Sequence, residues 1–290
     1  MRRLIVLAVS LGWLAIGDGI NAQEKALLWK VSHDTHSIYL LGSIHYLKKE
    51  NYPLHKAILD AFDASKSLVL EIDLNRVSPD VAQRVTLEKA IYSDGSTLRQ
   101  NVSQETYQLA EQEAAKLGID MKIMIPMKPW FVALALVAFK FQQIGLDPNL
   151  GVDRYLAERA KRNGKATSGL ETLEFQVGLF DQLTKRDQES LLHEIVGEMK
   201  LLDTNINEIV QSWLKGDSAS LEALLLAGMK EYPELHEKII VDRNRRWLSQ
   251  IEKLLTQGGE AMVVVGAAHL VGKEGLIAML KARGYRLEQR

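Results

Sequence analysis

The chain has 290 residues, 47% hydrophobic and 25% charged, with 36 basic side chains against 37 acidic ones and no cysteine. This is globular composition with ample length for a core, and the near-cancelling charge gives no footprint for nucleic acid or an anionic membrane surface. Without cysteine, disulfides, thiolate catalysis and cysteine-ligated metals are excluded, so any metal must use nitrogen and oxygen ligands.

The chain opens with Arg2-Arg3, an apolar run from Leu4 to Ile16, and Ile20-Asn21-Ala22 before Gln23. A positive start, a short apolar stretch and a small residue at the end make a signal peptide over 1–22. Residues 23–290 are then one exported domain, periplasmic if the host is Gram-negative. Leu27 to Ser32 and Ser37 to Leu41 read as paired strands around the polar turn His33-Asp34-Thr35-His36. Pro53 opens a helix with Leu54, Ile58, Ala61 and Phe62 on one face. Ser67 to Ile72 is a short strand interrupted by Glu71, and Ser78-Pro79 starts the next helix.

From about Val81 to Phe180 the pattern is mainly helical. Glu105 to Leu117 closes on Gly118. Trp130 to Phe139 is solidly apolar but shorter than the roughly 20 residues of a spanning helix, so it is a core helix, and the mature chain has no stable membrane insertion. Val152 to Arg162 is an amphipathic helix, and Lys165 to Leu170 a strand closing on Gly169-Leu170-Glu171. Leu173 to Leu255 is helical again. Ala261 to Val265 is the strongest strand, followed by a helix near Lys273 to Arg283 and a last strand near Tyr285 to Leu287. The fold class is therefore mixed α/β: terminal strands form a central sheet around a large helical middle region.

Two stretches repeat one pattern. Ile38-Tyr39-Leu40-Leu41-Gly42-Ser43-Ile44-His45 and Met262-Val263-Val264-Val265-Gly266-Ala267-Ala268-His269 each run an apolar strand into glycine and then histidine. Open α/β sheets bind ligands beyond such strand ends, and neutral imidazole is both a metal ligand and a general base. Glu71 puts a carboxylate within an apolar strand, which is costly unless it is paired or ligating; the alternative is a solvent-facing position sharing the parity of Asp73. Glu171 ends a strand, as a second carboxylate or as the cap of the following helix. Arg243 and Asn244 lie in a helix whose arginines by themselves read as a solvated face. His33, His36, His55, His193 and His236 read as surface or packing residues.

Together these segments resemble the TraB/GumN family, related to the Tiki metalloproteases. The resemblance rests on the two Gly-x-x-His segments, Leu70-Glu71-Ile72, Pro129-Trp130, Gly145-Leu146-Asp147 or Gly151-Val152-Asp153, Gly169-Leu170-Glu171-Thr172 and Arg243-Asn244. It implies a fold like that of erythromycin esterase and the haem-binding ChaN-like proteins, and an active centre of His45, His269 and a glutamate that uses a divalent metal, manganese or cobalt. It also gives Arg243 and Asn244 a role in the site.

The expected activity is that of a divalent-metal-dependent hydrolase of peptides or small molecules. His45, Glu71 and His269 bind manganese, cobalt or zinc, and Glu71, Glu171, Arg243 and Asn244 are the catalytic candidates. A metal-free hydrolase with a histidine base and a binding protein for haem or metal are the alternatives.

Overall fold

The computed structural model describes residues 25–226 and 228–290, so the signal peptide expected over 1–22 lies outside the described residues. Six strands form one sheet among these residues: β1 (Leu28–His33), β2 (His36–Ser43), β3 (Ser67–Leu70), β4 (Ala166–Gly169), β5 (Ala261–Gly266) and β6 (Arg286–Gln289). Their spatial order is β4-β3-β5-β2-β1-β6. The strands β4, β3, β5 and β2 are mutually parallel, while β1 runs antiparallel to both β2 and β6. The α/β reading holds, with most strands near the two ends of the sequence and β4 alone contributed by the middle.

The fully apolar run of β5 is explained by its central place. It pairs on both sides, is covered on both faces, and Ala261 to Val265 are all buried. That is the signature of a buried parallel strand rather than an alternating one. The β1–β2 hairpin turns at Asp34, which adopts a positive φ of 49°. Gly42 is required by close approach: a Cβ there would lie 2.4 Å from Leu27 Cδ2 and 3.2 Å from the Ala267 backbone. Its carbonyl accepts a hydrogen bond of 2.7 Å from the buried indole of Trp213, on the helix Leu202–Leu214.

The helices Asp242–Thr256 and Val152–Arg162 pack against the sheet, on β1 and β2 and on β3 and β4 respectively. The middle region has a second core, in which the helices Gln104–Lys116, Pro129–Gln143 and Lys185–Glu198 bury Ala110, Ala114, Val132, Leu136, Leu192 and Val196 against one another. Among the described residues, no helix is long and apolar enough to cross a membrane.

Several boundaries differ from the sequence reading. Pro53 does not open a helix: the helix is Lys56–Ala64, and His55 Nδ1 accepts the Ala57 N–H as its cap. β3 ends at Leu70, so Glu71 lies just past the strand and the parity argument does not apply to it. Asp73 turns away to Thr167 Oγ1 and the Asn75 N–H instead. The last strand is Arg286–Gln289, set by its register against β1.

Candidate active site

The four parallel strands are adjacent and end at the same edge of the sheet. Just beyond that edge they deliver Glu171 from β4, Glu71 from β3, His269 from β5 and His45 from β2. Pairing between β3 and β4 continues past both strands, with Leu170 N–H on the Leu70 carbonyl and Glu171 N–H on the Glu71 carbonyl. The two glutamates are therefore neighbours. Thr172 caps the helix Leu173–Asp181, accepting from Phe175 N–H, so the reading of Glu171 as the helix cap is overturned.

Arg243 binds the carboxylates together. Its Nη2 lies 2.5 Å from Glu71 Oε2 and 2.7 Å from Glu171 Oε1, and its Nε is 3.2 Å from Glu171 Oε2. The planar fork suits this paired geometry in a way an ammonium would not. Arg243 Nη1 donates to the carbonyl of Ile239, in the π-helical turn Glu237–Val241 that leads into Asp242–Thr256. The guanidinium is stacked on Trp247, 4.5 Å from its ring centre. The solvated-face reading of this arginine thus fails: its side chain is 6% exposed and fully partnered.

Glu71 is saturated. Its Oε1 accepts the Gly266 N–H at 2.7 Å, and Oε2 accepts from both Arg243 and Gln176 Nε2, the latter at 2.9 Å. Gln176 also reaches Glu171 Oε1 at 3.2 Å. Burial works to raise the Glu71 carboxyl, but Arg243, His45 and the Gly266 N–H favour the anion and hold it below the ordinary carboxylate range, with His269 adding to this only when protonated. In Glu171 burial prevails over Arg243, and its carboxyl is raised.

The two histidines are held alike. His45 Nδ1 lies 3.1 Å from Asp153 Oδ1, and His269 Nδ1 lies 2.8 Å from Asn244 Oδ1. Each ring is thus anchored through Nδ1 and presents Nε2 to the site. His45 is 55% exposed at its side chain, and the charge of Asp153 rather than burial raises its imidazole above the ordinary value. Burial pushes His269 down to about 3, so it is neutral, and its Nε2 accepts Arg243 Nη1 at 2.9 Å. Asp153 reaches His45 because residues 147–153 are zipped onto 44–47: Val152 N–H bonds the Ile44 carbonyl, and Leu47 and Asp147 form a bridge.

Gly266 leaves a small cradle. A Cβ placed there would sit 3.3 Å from Glu71 Oε1, 3.6 Å from His45 Nε2 and 3.7 Å from His269 Cδ2. A carboxylate oxygen, the His45 Nε2 and the Cδ2 edge of His269 therefore meet there, and both rings have the anchored Nδ1 typical of metal-ligating histidines. The donor types fit a divalent ion, and the His269 tautomer does too, while His45 would first have to give up a proton. As arranged, however, no three His, Asp or Glu side chains among the described residues close around a single point. His269 Nε2 is engaged by Arg243 and stands 3.9 Å from Glu71 Oε1.

The cluster opens into a cavity of about 490 Å³ whose remaining walls include Phe141, Leu179, Phe180, Ile206 and Ile209. His45, Glu71, Arg243 and His269 line it, whereas Glu171 and Asn244 stand behind them. Sequence reasoning missed Gln176 and Trp247, and it named Asp153 only within a motif. His33 lies at the opposite end of the sheet, against the Tyr285 ring, and His36 pairs with it across the hairpin.

An open α/β sheet with a polar cluster at the carboxyl ends of its parallel strands is the architecture of a ligand-binding or enzymatic domain. The chain belongs to the TraB/PrgY/gumN family, whose model matches residues 27–289. It is 24% identical to the uncharacterized protein YbaP of Escherichia coli (strain K12), over 84% of this chain and 87% of that protein. It is 21% identical to an uncharacterized protein of Treponema pallidum (strain Nichols), over 90% of this chain and 82% of that one. No solved structure matches it.

Proposed function

We propose that this chain is an exported hydrolase, most simply of peptide bonds, working at the cluster of His45, Glu71, Arg243 and His269. The observation that carries the reading is the paired anchoring of the two imidazoles: oxygen atoms hold both Nδ1 positions, and both Nε2 positions are turned toward Glu71 in a cavity wall. The likeness to the erythromycin-esterase and ChaN-like folds rests on the family resemblance and belongs to the same proposal.

His45, Glu71 and His269 would hold a divalent ion, manganese, cobalt or zinc, which when bound would acidify a water and polarise a carbonyl. Ligation at His269 Nε2 requires Arg243 Nη1 to give up that lone pair. Metal uptake also displaces a proton from His45, so affinity rises with pH. In the hydrolysis, water oxygen bonds to the carbonyl carbon, the C–N bond breaks, and the amine leaves with a proton. Arg243, at the cavity wall, would stabilise negative charge developing on the carbonyl oxygen with the Nη1–H released from His269. Glu171 and Asn244, behind the wall, are positioning residues that act through Arg243 and His269.

A second reading is favoured by the contacts of one side chain. With Arg243 already on Glu71, Glu171 and His269 Nε2, the cluster is paired without an ion, and the His45–Asp153 dyad is left to relay the proton in a metal-free hydrolase.

Calorimetric titration of the mature protein with manganese, cobalt and zinc, together with turnover of a peptide library with and without chelator, tests both. Expected are micromolar or tighter binding that His45→Ala and His269→Ala each abolish, and chelator-sensitive cleavage. Glu71→Gln should lose metal if Glu71 ligates; if it is the base, it should keep metal and lose roughly 10²–10⁴-fold in turnover. Cleavage indifferent to chelator selects the metal-free reading. No cleavage under any condition, with haem or metal uptake lost in His45→Ala, would make this a binding protein.

A further inference from the structure

The helix Pro129–Gln143 carries more apolar side chains than its packing uses. One stripe, including Val132, Ala133 and Leu136, is buried in the core of the middle region. A second stripe, Phe131, Leu134, Ala135, Ala138, Phe139 and Gln142, follows the i, i+3, i+4, i+7, i+8, i+11 spacing of a single helix face. It lines a cleft of about 450 Å³ whose far wall is Val177 and Phe180. Leu134 and Phe139 remain 36% and 42% exposed at its lip. Contiguous apolar surface of this kind marks a binding groove.

Two further observations say what the groove takes. None of the described residues lining it is charged, so an ionised ligand group would lose its water without a partner there. The lining also includes uncharged hydrogen-bonding side chains, Tyr46, Thr86 and Gln142, which can meet carbonyl and amide groups. A ligand that is apolar in its side chains and carries carbonyl oxygens meets both conditions, whereas a bare hydrocarbon chain meets only the first.

The groove is also continuous with the reactive cluster. Tyr46 and Gln176 line it and line the cavity at His45 and Glu71 as well. Leu134 and Ala138 are shared with a further cavity beside Glu71 and Asp153.

We propose that this cleft is the specificity groove of the site, receiving an uncharged peptide segment with aliphatic or aromatic side chains on the non-reacting part of the substrate. That it presents the segment to hydrolysis rests on the function proposed above; that it binds the segment does not.

The test is equilibrium binding to the full mature chain by fluorescence anisotropy. The probes are a dye-labelled, end-blocked peptide of Leu, Phe and Val, its Asp-containing counterpart, and an uncharged long-chain alcohol as competitor. Saturable binding of the apolar peptide is expected, roughly ten-fold or more tighter than of the charged one, the equivalent of about 1.4 kcal/mol. Leu134→Asp, at an exposed position, and Ala138→Trp, which fills the groove, should each weaken binding by a similar factor while the circular dichroism spectrum and melting temperature hold. Equal affinity for both peptides, or unchanged affinity in both variants, overturns the proposal, and so does an alcohol that binds more tightly than every peptide. Selective peptide binding by a protein that cleaves nothing supports the groove and removes the hydrolytic reading.

Discussion

Asn244 fixes the tautomer of His269. Its Nδ2 donates to two carbonyls, those of Glu274 at 2.8 Å and His269 at 3.2 Å, so its Oδ1 must face the ring and accept from Nδ1–H at 2.8 Å. The lone pair of the imidazole is then necessarily on Nε2, facing the site. Replacing Asn244 with leucine keeps the volume but strands two carbonyls and frees the ring. A loss of about 2–4 kcal/mol in denaturant unfolding is expected, together with nitrogen NMR shifts showing mixed His269 tautomers. A His269 that stays wholly Nδ1-protonated in this variant would show that another group sets it.

Arg243 is the counter-charge for two buried carboxylates. Arg243→Ala leaves both uncompensated and should cost about 3–5 kcal/mol. Arg243→Lys should recover little, since one ammonium cannot reproduce the fork to Glu171 and also reach Glu71 and His269. Adding Glu71→Gln to Arg243→Ala should restore part of the loss, and a double-mutant cycle measured by urea unfolding reads this directly. Strict additivity of the two changes would contradict the shared network.

Gly266 has an ordinary backbone conformation, with φ −54° and ψ 142°, so alanine can adopt it. The added methyl would occupy the cradle among Glu71 Oε1, His45 Nε2 and His269 Cδ2. Gly266→Ala should therefore unfold within about 1–2 kcal/mol of the parent, the range of mild overpacking, while losing catalysis and ion uptake together. Full activity in this variant would place the reacting atoms elsewhere.

Acid should destabilise the metal-free protein through His269. Its pKa is pushed down to about 3 from 6.5, so between these values the unfolded chain holds a proton that the folded chain does not. Stability then falls as pH drops through 6.5, by about 2 kcal/mol between about pH 7 and pH 5 from this group alone. Glu71, held low, adds to the loss only below its unfolded value of 4.5. His45 has the opposite sign: raised by Asp153, it contributes below 6.5 and loses that contribution as pH rises through its folded value. Melting curves with chelator across this range should show a shallower acid slope in His269→Gln and a shallower alkaline slope in Asp153→Asn. An acid slope unchanged in His269→Gln would mean that the ring is not held neutral.

The strand-to-glycine-to-histidine segments were legible in the sequence because they are local. An unbroken apolar run can only be a buried strand or helix, and the glycine lies at or next to the last paired residue before His45 and His269. The oddity of Glu71 in an apolar stretch and the place of Glu171 at the end of a strand were legible for the same reason. What belongs to the tertiary structure alone is who meets whom. Arg243 lies 172 residues from Glu71, Asp153 lies 108 from His45, and the Gly266 N–H that holds Glu71 comes from 195 residues on. Parallel pairing puts β5 between β2 and β3, and so sets these groups at one sheet edge. No local pattern records that choice, because burial rewards the apolar faces of strands without naming their neighbours. Hence Arg243 read as a solvated charge, and the double apolar face of Pro129–Gln143 read as core, until the fold showed one stripe packed and the other left open beside the site.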